Sequence, residues 1–198
     1  MDANQMKEQN PSGKGLTGKI TGFFSKIVPP FGRQDEENSA GGTPAPVTEL
    51  KACISGESFP LEKVNDQVFS MKILGDGLAI RPSSEIIVAP ANGVVCNVAE
   101  SKYALGLEFS NGIQLLIHVG IDTVAMKEMN GKGFKTFVKE GDTVKTGQKL
   151  LSFSRSDIRR AGYEDTVMMI VTENKQELPL NFAPYGSVER GTSTVISF

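Results

Sequence analysis

The chain has 198 residues, 39% hydrophobic and 22% charged, with a formal net charge of −2. That length suits one domain, or one domain with a tail, and the near-neutral balance offers no basic face for nucleic acid. Cys53 and Cys96 are too few and too far apart for a disulfide framework or a metal-knuckle spacing, which fits a reducing, cytoplasmic compartment.

In chain order, residues 15–32, GLTGKITGFFSKIVPPFG, come first. Leu16, Ile20, Phe23, Phe24, Ile27 and Val28 recur at three- and four-residue steps, on one face of a candidate amphipathic helix over residues 15–28. Lys19, Lys26 and Arg33 add positive charge, and Pro29-Pro30 would end the helix. Such a segment could lie on an anionic membrane surface. The competing readings are a tail docked on its own domain or one without order, and Gly18 and Gly22 weaken the helix. No apolar run approaches the ~18 residues that span a bilayer, and the lysines and glycines also argue against a signal peptide. Residues 33–49, RQDEENSAGGTPAPVTE, lack apolar periodicity and read as a flexible linker. Composition therefore divides the chain into a flexible tail, residues 1–47, and a domain, residues 48–198.

The domain alternates short β-branched runs with glycine turns: FSMKILGDGLAIRP, EIIVAPANGVVCNVAE, KYALGLEFSNGIQLLIHVG and GDTVKTGQKLLSFS. Only PLEKVND, DTVAMKEM and RSDIRRAG leave room for brief helical turns. The pattern predicts an all-β sandwich or barrel.

Its only histidine, His118, ends the run NGIQLLIHVGID, residues 111–122. Asn111-Gly112 is a strong signal for a two-residue hairpin turn. If those two form the loop, Ser110 pairs with Ile113 and Leu105 falls opposite His118. Ile113, Leu115, Ile117 and Val119 then face the core. Gln114, Leu116 and His118 share the other face with Leu105, Leu107 and Tyr103, and Tyr103 is a diagonal neighbour of His118. A lone histidine on such a face is more often structural than reactive. Metal binding lacks a second histidine, and a Ser-His-Asp hydrolase lacks its G-x-S-x-G elbow. Gly120, Asp122 and the GDG turn at residues 75–77 favour function.

LIHVGIDTV, residues 116–124, resembles the phosphohistidine motif of the glucose-family enzyme IIA domains of the bacterial sugar phosphotransferase system. GDGLAIRP (75–82), IIVAPANGVV (86–95), NGKGF (130–134), VKEGDTVKTGQKLL (138–151) and YGSVERG (185–191) follow in the family's order. EGDTVKTGQKL alone would be weak, because biotinyl and lipoyl domains share it, but they need a lysine at a hairpin tip. The resemblance implies a barrel-sandwich fold without cofactor or resident metal. It implies that His118 accepts a phosphoryl group from the histidine-containing phosphocarrier protein and passes it to an enzyme IIB domain. It further places Asp76 and Asp122 as flanking carboxylates beside Gly120, and Leu78, Ile80 and Val119 as an apolar docking rim. Where the family carries its first active-site histidine, within T-K-H-A or T-N-H-A, this chain reads SKYA, residues 101–104. Tyr103 thus takes the assisting position, with Ser101 in the same stretch as a third site residue. A phenol donates one hydrogen bond but cannot become a cation, so zinc binding by a histidine pair is lost. DTVAMKEMNGKGF is also longer than the family's spacing. The rival function is a non-transferring regulatory or sensing module of the same fold; a biotinyl-like carrier or a peptidase on a similar barrel ranks well below both.

Removing the tail should leave the thermal midpoint nearly unchanged while reducing binding to anionic vesicles. A large drop in midpoint would show instead that the tail packs on the domain.

Overall fold

In the computed structural model, residues 46–124 and 133–198 are described. The candidate helix over 15–28, most of the linker and the lengthened stretch after Val124 lie outside these residues. The described residues fall within one compact unit. The largest sheet has the strand order β13-β2-β3-β11-β7-β6-β5-β9. These strands are β2 (Gly56–Pro60), β3 (Asp76–Pro82), β5 (Gly93–Val98), β6 (Ala104–Glu108), β7 (Ile113–Val119), β9 (Thr143–Val144), β11 (Val167–Asn174) and β13 (Gly186–Val188). Two three-stranded sheets accompany it. One joins β4 (Ile86–Val88), β10 (Lys149–Phe153) and β8 (Phe134–Thr136). The other joins β1 (Glu49–Lys51), β14 (Thr194–Ser197) and β12 (Asn181–Phe182). The sheets are open and packed as a sandwich rather than closed into a barrel, and every pairing is antiparallel.

The central strands are buried on both faces. Leu115, Leu116 and Ile117 of β7 are enclosed in succession, as are all residues from Val167 to Val171 of β11. This continuous burial explains why the middle of the sheet shows little hydrophobic alternation.

The hairpin register differs by one residue from the sequence expectation. Ala104, not Leu105, stands opposite His118, and Leu105 stands opposite Ile117. The loop has three residues, because Phe109 N–H donates to the Ile113 carbonyl at 3.0 Å and only Gly112 takes positive φ, at 75°. Asn111 has another task. It is buried, its amide donates to the Val47 carbonyl at 2.7 Å, and its Oδ1 accepts from Ile113 N–H at 3.3 Å. The expected face of Leu105, Leu107 and Tyr103 is therefore replaced by Ala104 and Gly106, small residues beside the histidine.

A second difference lies upstream. FSMKIL begins not as a strand but in helix α1 (Gln67–Ser70) and the turn after it. Asp66 caps α1, its carboxylate accepting from Val68 N–H at 2.8 Å and Phe69 N–H at 3.2 Å. A 3-10 turn, Leu61–Lys63, precedes it, and α2 (Arg155–Arg160) falls where RSDIRRAG predicts a helical turn.

β3 and β11 approach so closely that a Cβ on Gly77 would sit 2.0 Å from the Met169 carbonyl oxygen. Backbone cannot yield there as a flexible side chain would. Gly77→Ala should cost about 3 kcal/mol and lower the thermal midpoint by roughly 6–12 °C, checked by calorimetry; an unchanged midpoint would contradict this close packing.

Candidate functional site

β7 carries His118 to the edge of the buried sheet. There its ring is flanked by two others: the Phe69 centroid lies 5.0 Å away and the Tyr103 centroid 5.1 Å away, both at 60° interplanar angles. Phe69 arrives on α1. Tyr103 arrives from the tight β5–β6 loop, where Lys102 takes φ 62° and Lys102 N–H closes on the Ala99 carbonyl at 2.8 Å. Because Tyr103 precedes β6, strand alternation does not govern its side chain. The expected proximity of Tyr103 and His118 thus holds, by a different route from the register that predicted it. Ser101 occupies the same loop, half-buried.

His118 as a whole is half-buried, but its Nδ1 is sealed from solvent and makes no hydrogen bond at full geometry. Desolvation disfavours the imidazolium and pushes the pKa down to about 4, while the Gly120 backbone works the other way. A backbone group that favours the protonated ring acts as an acceptor, so the Gly120 carbonyl faces the imidazole. Gly120 itself is required here. Its φ is 80°, and a Cβ would fall 2.2 Å from Thr123 Cγ2 and 3.0 Å from the Glu164 carbonyl oxygen. Burial also raises the Tyr103 phenol, whose residue is 4% exposed, so the ring stays neutral.

The other expected site residues divide. Asp122 is exposed on the turn leaving β7, at φ 59°. Asp76 does not flank the histidine. In the ladder its partner on β11 is Val171, whereas Met168 lies beside His118, with Ala79 on the far side of Met168. Two strand spacings across and three residues along put the Asp76 Cα about 14 Å from the His118 Cα along the ladder. Its carboxylate instead binds Lys72 Nζ at 2.8 Å, and Lys72 also reaches Glu62 at 2.7 Å. The docking rim fails for a simpler reason: Leu78, Ile80 and Val119 are core residues, at most 1% exposed. The exposed apolar side chains nearby in sequence are Met71, 69% exposed, and Ile73, 65% exposed, on the turn after Phe69. Lys72 staples that turn to the fold, and neither residue was legible as surface in a run that reads as strand. Among the described residues, no three His, Cys, Asp or Glu side chains gather as metal ligands.

Residues 48–177 match the family model described as phosphoenolpyruvate-dependent sugar phosphotransferase system, EIIA 1. Among solved structures, the chain is similar to glucose permease IIA from Mycoplasma capricolum, at 30% identity and a TM-score of 0.67. The match covers 75% of this chain and 93% of that one.

The depressed His118 pKa has a definite sign in stability. Between pH 6.5 and about 4 the unfolded chain binds a proton that the folded chain refuses, so stability falls across that window as pH drops. Above pH 6.5 both states are neutral and the effect vanishes. From pH 7 to pH 4, urea unfolding should show the parent losing up to about 3 kcal/mol more than His118→Gln. Parallel profiles for the two proteins would contradict burial of Nδ1.

Proposed function

Because the chain belongs to the EIIA 1 family of the phosphoenolpyruvate-dependent sugar phosphotransferase system, and so has a phosphocarrier role in sugar uptake, we propose that His118 is its phosphoacceptor. The observation that carries this reading is the sealed Nδ1. With that nitrogen shut off from solvent, Nε2 is left to attack, and the low pKa keeps the imidazole neutral at cytoplasmic pH. Nε2 forms a bond to the phosphorus of a phosphohistidine on the small phosphocarrier protein, and the donor's P–N bond breaks, its electron pair returning to the donor imidazole. A cysteine thiolate of an enzyme IIB domain then takes the phosphoryl group, and the His118 P–N bond breaks in turn.

Exposed Met71 and Ile73, on the turn that follows α1, provide an apolar surface for both partners. Asp122, exposed four residues after the nucleophile, can meet a cation on the donor. The second reading, a non-transferring regulatory or sensing module, is favoured by one observation: a buried, neutral phenol replaces the family's first histidine.

The test is incubation with phosphoenolpyruvate and the general phosphotransfer proteins, followed by intact-mass measurement. One acid-labile, base-stable phosphoryl group is expected, absent in His118→Gln. No modification of the parent chain would favour the regulatory module.

The two half-reactions should respond differently at Tyr103. The departing group spreads negative charge over its oxygens, which positioned donors stabilise. Tyr103→His restores a donor of variable charge and should speed delivery to an enzyme IIB domain by about tenfold or more, with a smaller effect on acceptance. Equal effects on both steps, read by rapid-quench kinetics, would refute a role specific to delivery.

A further inference from the structure

Residues 163–166 form no regular element, yet they tie the site together. The Thr166 carbonyl accepts Gly120 N–H at 2.7 Å, and the Glu164 carbonyl accepts Ile121 N–H at 3.0 Å. The Glu164 carboxylate accepts from Asn65 Nδ2 at 3.1 Å, next to the Asp66 cap that sets Phe69. One short segment thus meets both the loop behind His118 and the chain leading into α1.

No ladder holds this segment. Its anchor is Asp165, whose side chain is 12% exposed. Arg155 Nε donates to its Oδ2 at 2.7 Å, and Arg159 Nη2 lies 2.9 Å from Oδ2 and 3.1 Å from Oδ1. The arginines stand one turn apart on α2, which is itself fixed by Arg155 N–H donating to Glu85 at 2.8 Å and by the Ser154 cap. A carboxylate between two guanidinium groups, largely out of water, is held strongly and in one orientation.

We propose that Asp165 is a positioning residue for His118: by locking residues 164–166 to α2, it sets the Gly120 backbone against the imidazole and so determines which ring nitrogen is free to react. This rests on His118 being the phosphoacceptor, but its structural part can be read without phosphate. Asp165→Asn keeps the size and one acceptor oxygen while leaving two guanidinium groups against a neutral amide.

The experiment is ¹⁵N NMR of the imidazole in the full unphosphorylated chain, with phosphoryl acceptance measured alongside. The parent should show one neutral tautomer with Nε2 unprotonated. Asp165→Asn should show a mixture of tautomers and accept phosphate roughly ten- to a hundred-fold more slowly. If that variant does not fold, Arg159→Gln removes only the outer arm and should shift the tautomer in the same direction. An unchanged tautomer in the folded variant overturns the proposal, even if acceptance slows, because the role would then be general stability. A mixed tautomer with an unchanged rate overturns it as well. Failure of the parent chain to accept phosphate would refute the phosphocarrier reading, and the tautomer would still decide what Asp165 does.

Discussion

Enclosing one nitrogen of His118 while leaving the ring partly exposed is the constraint from which the other features of the site follow. A histidine at the end of an ordinary amphipathic strand would be wetted on both edges and would titrate near its usual value. Here Phe69 and Tyr103 close on the ring from two different elements, and Nδ1 loses its water without gaining a full hydrogen bond. The cost of that enclosure is carried by the charged state alone, because a neutral imidazole loses less on leaving water than an imidazolium does. The same packing that buries Nδ1 therefore selects the nucleophilic form.

That enclosure demands small neighbours and a turn that only glycine can make. Ala104 and Gly106 lie along His118's side of the ladder, and a Cβ on Gly106 would meet Cys96 Sγ at 2.8 Å. Gly120 turns the chain directly after β7 at φ 80°, where a Cβ would meet Thr123 and the Glu164 carbonyl oxygen. The two buried central strands beneath give the site a rigid floor, and rigidity has chemical value: phosphoryl transfer gains most of its rate from holding nucleophile and phosphorus in line.

Much of this was legible in the sequence, though unevenly. Strand content and family were visible because glycine turns and β-branched runs are local signals, and because several motifs occur together in one order. Asn111-Gly112 marked a turn but not its length, since the competing use of the Asn111 amide depends on Val47, 64 residues earlier. The rim of Leu78, Ile80 and Val119 came from the resemblance alone, and strand alternation had already put Val119 on the core side, where all three residues lie. Asp76 was named for its glycine turn and for its place in the resemblance; that its carboxylate pairs with Lys72 shows only in the folded chain. The Arg155–Asp165–Arg159 bridge could not be read at all, because a helical turn says nothing about which distant carboxylate its arginines will find.

The lowered basicity of His118 also bears on how a relay can work with one histidine instead of two. A phosphoryl group must leave its carrier as readily as it arrives, and a group of low basicity is a better leaving group than one of high basicity. Desolvation by Phe69 and Tyr103 lowers the basicity of the ring, which weakens the attack somewhat but makes the P–N bond easier to break. In the relay proposed above, Tyr103 would act in two opposing ways on the second half-reaction. As an aromatic wall it would help destabilise a phosphohistidine; as a neutral phenol it would supply less stabilisation of the departing charge than a histidine could. The first effect comes from packing area and changes little when one aromatic ring replaces another. The second comes from a titratable charge and changes a great deal, so electrostatics at position 103, rather than enclosure, is what separates this site from a two-histidine one.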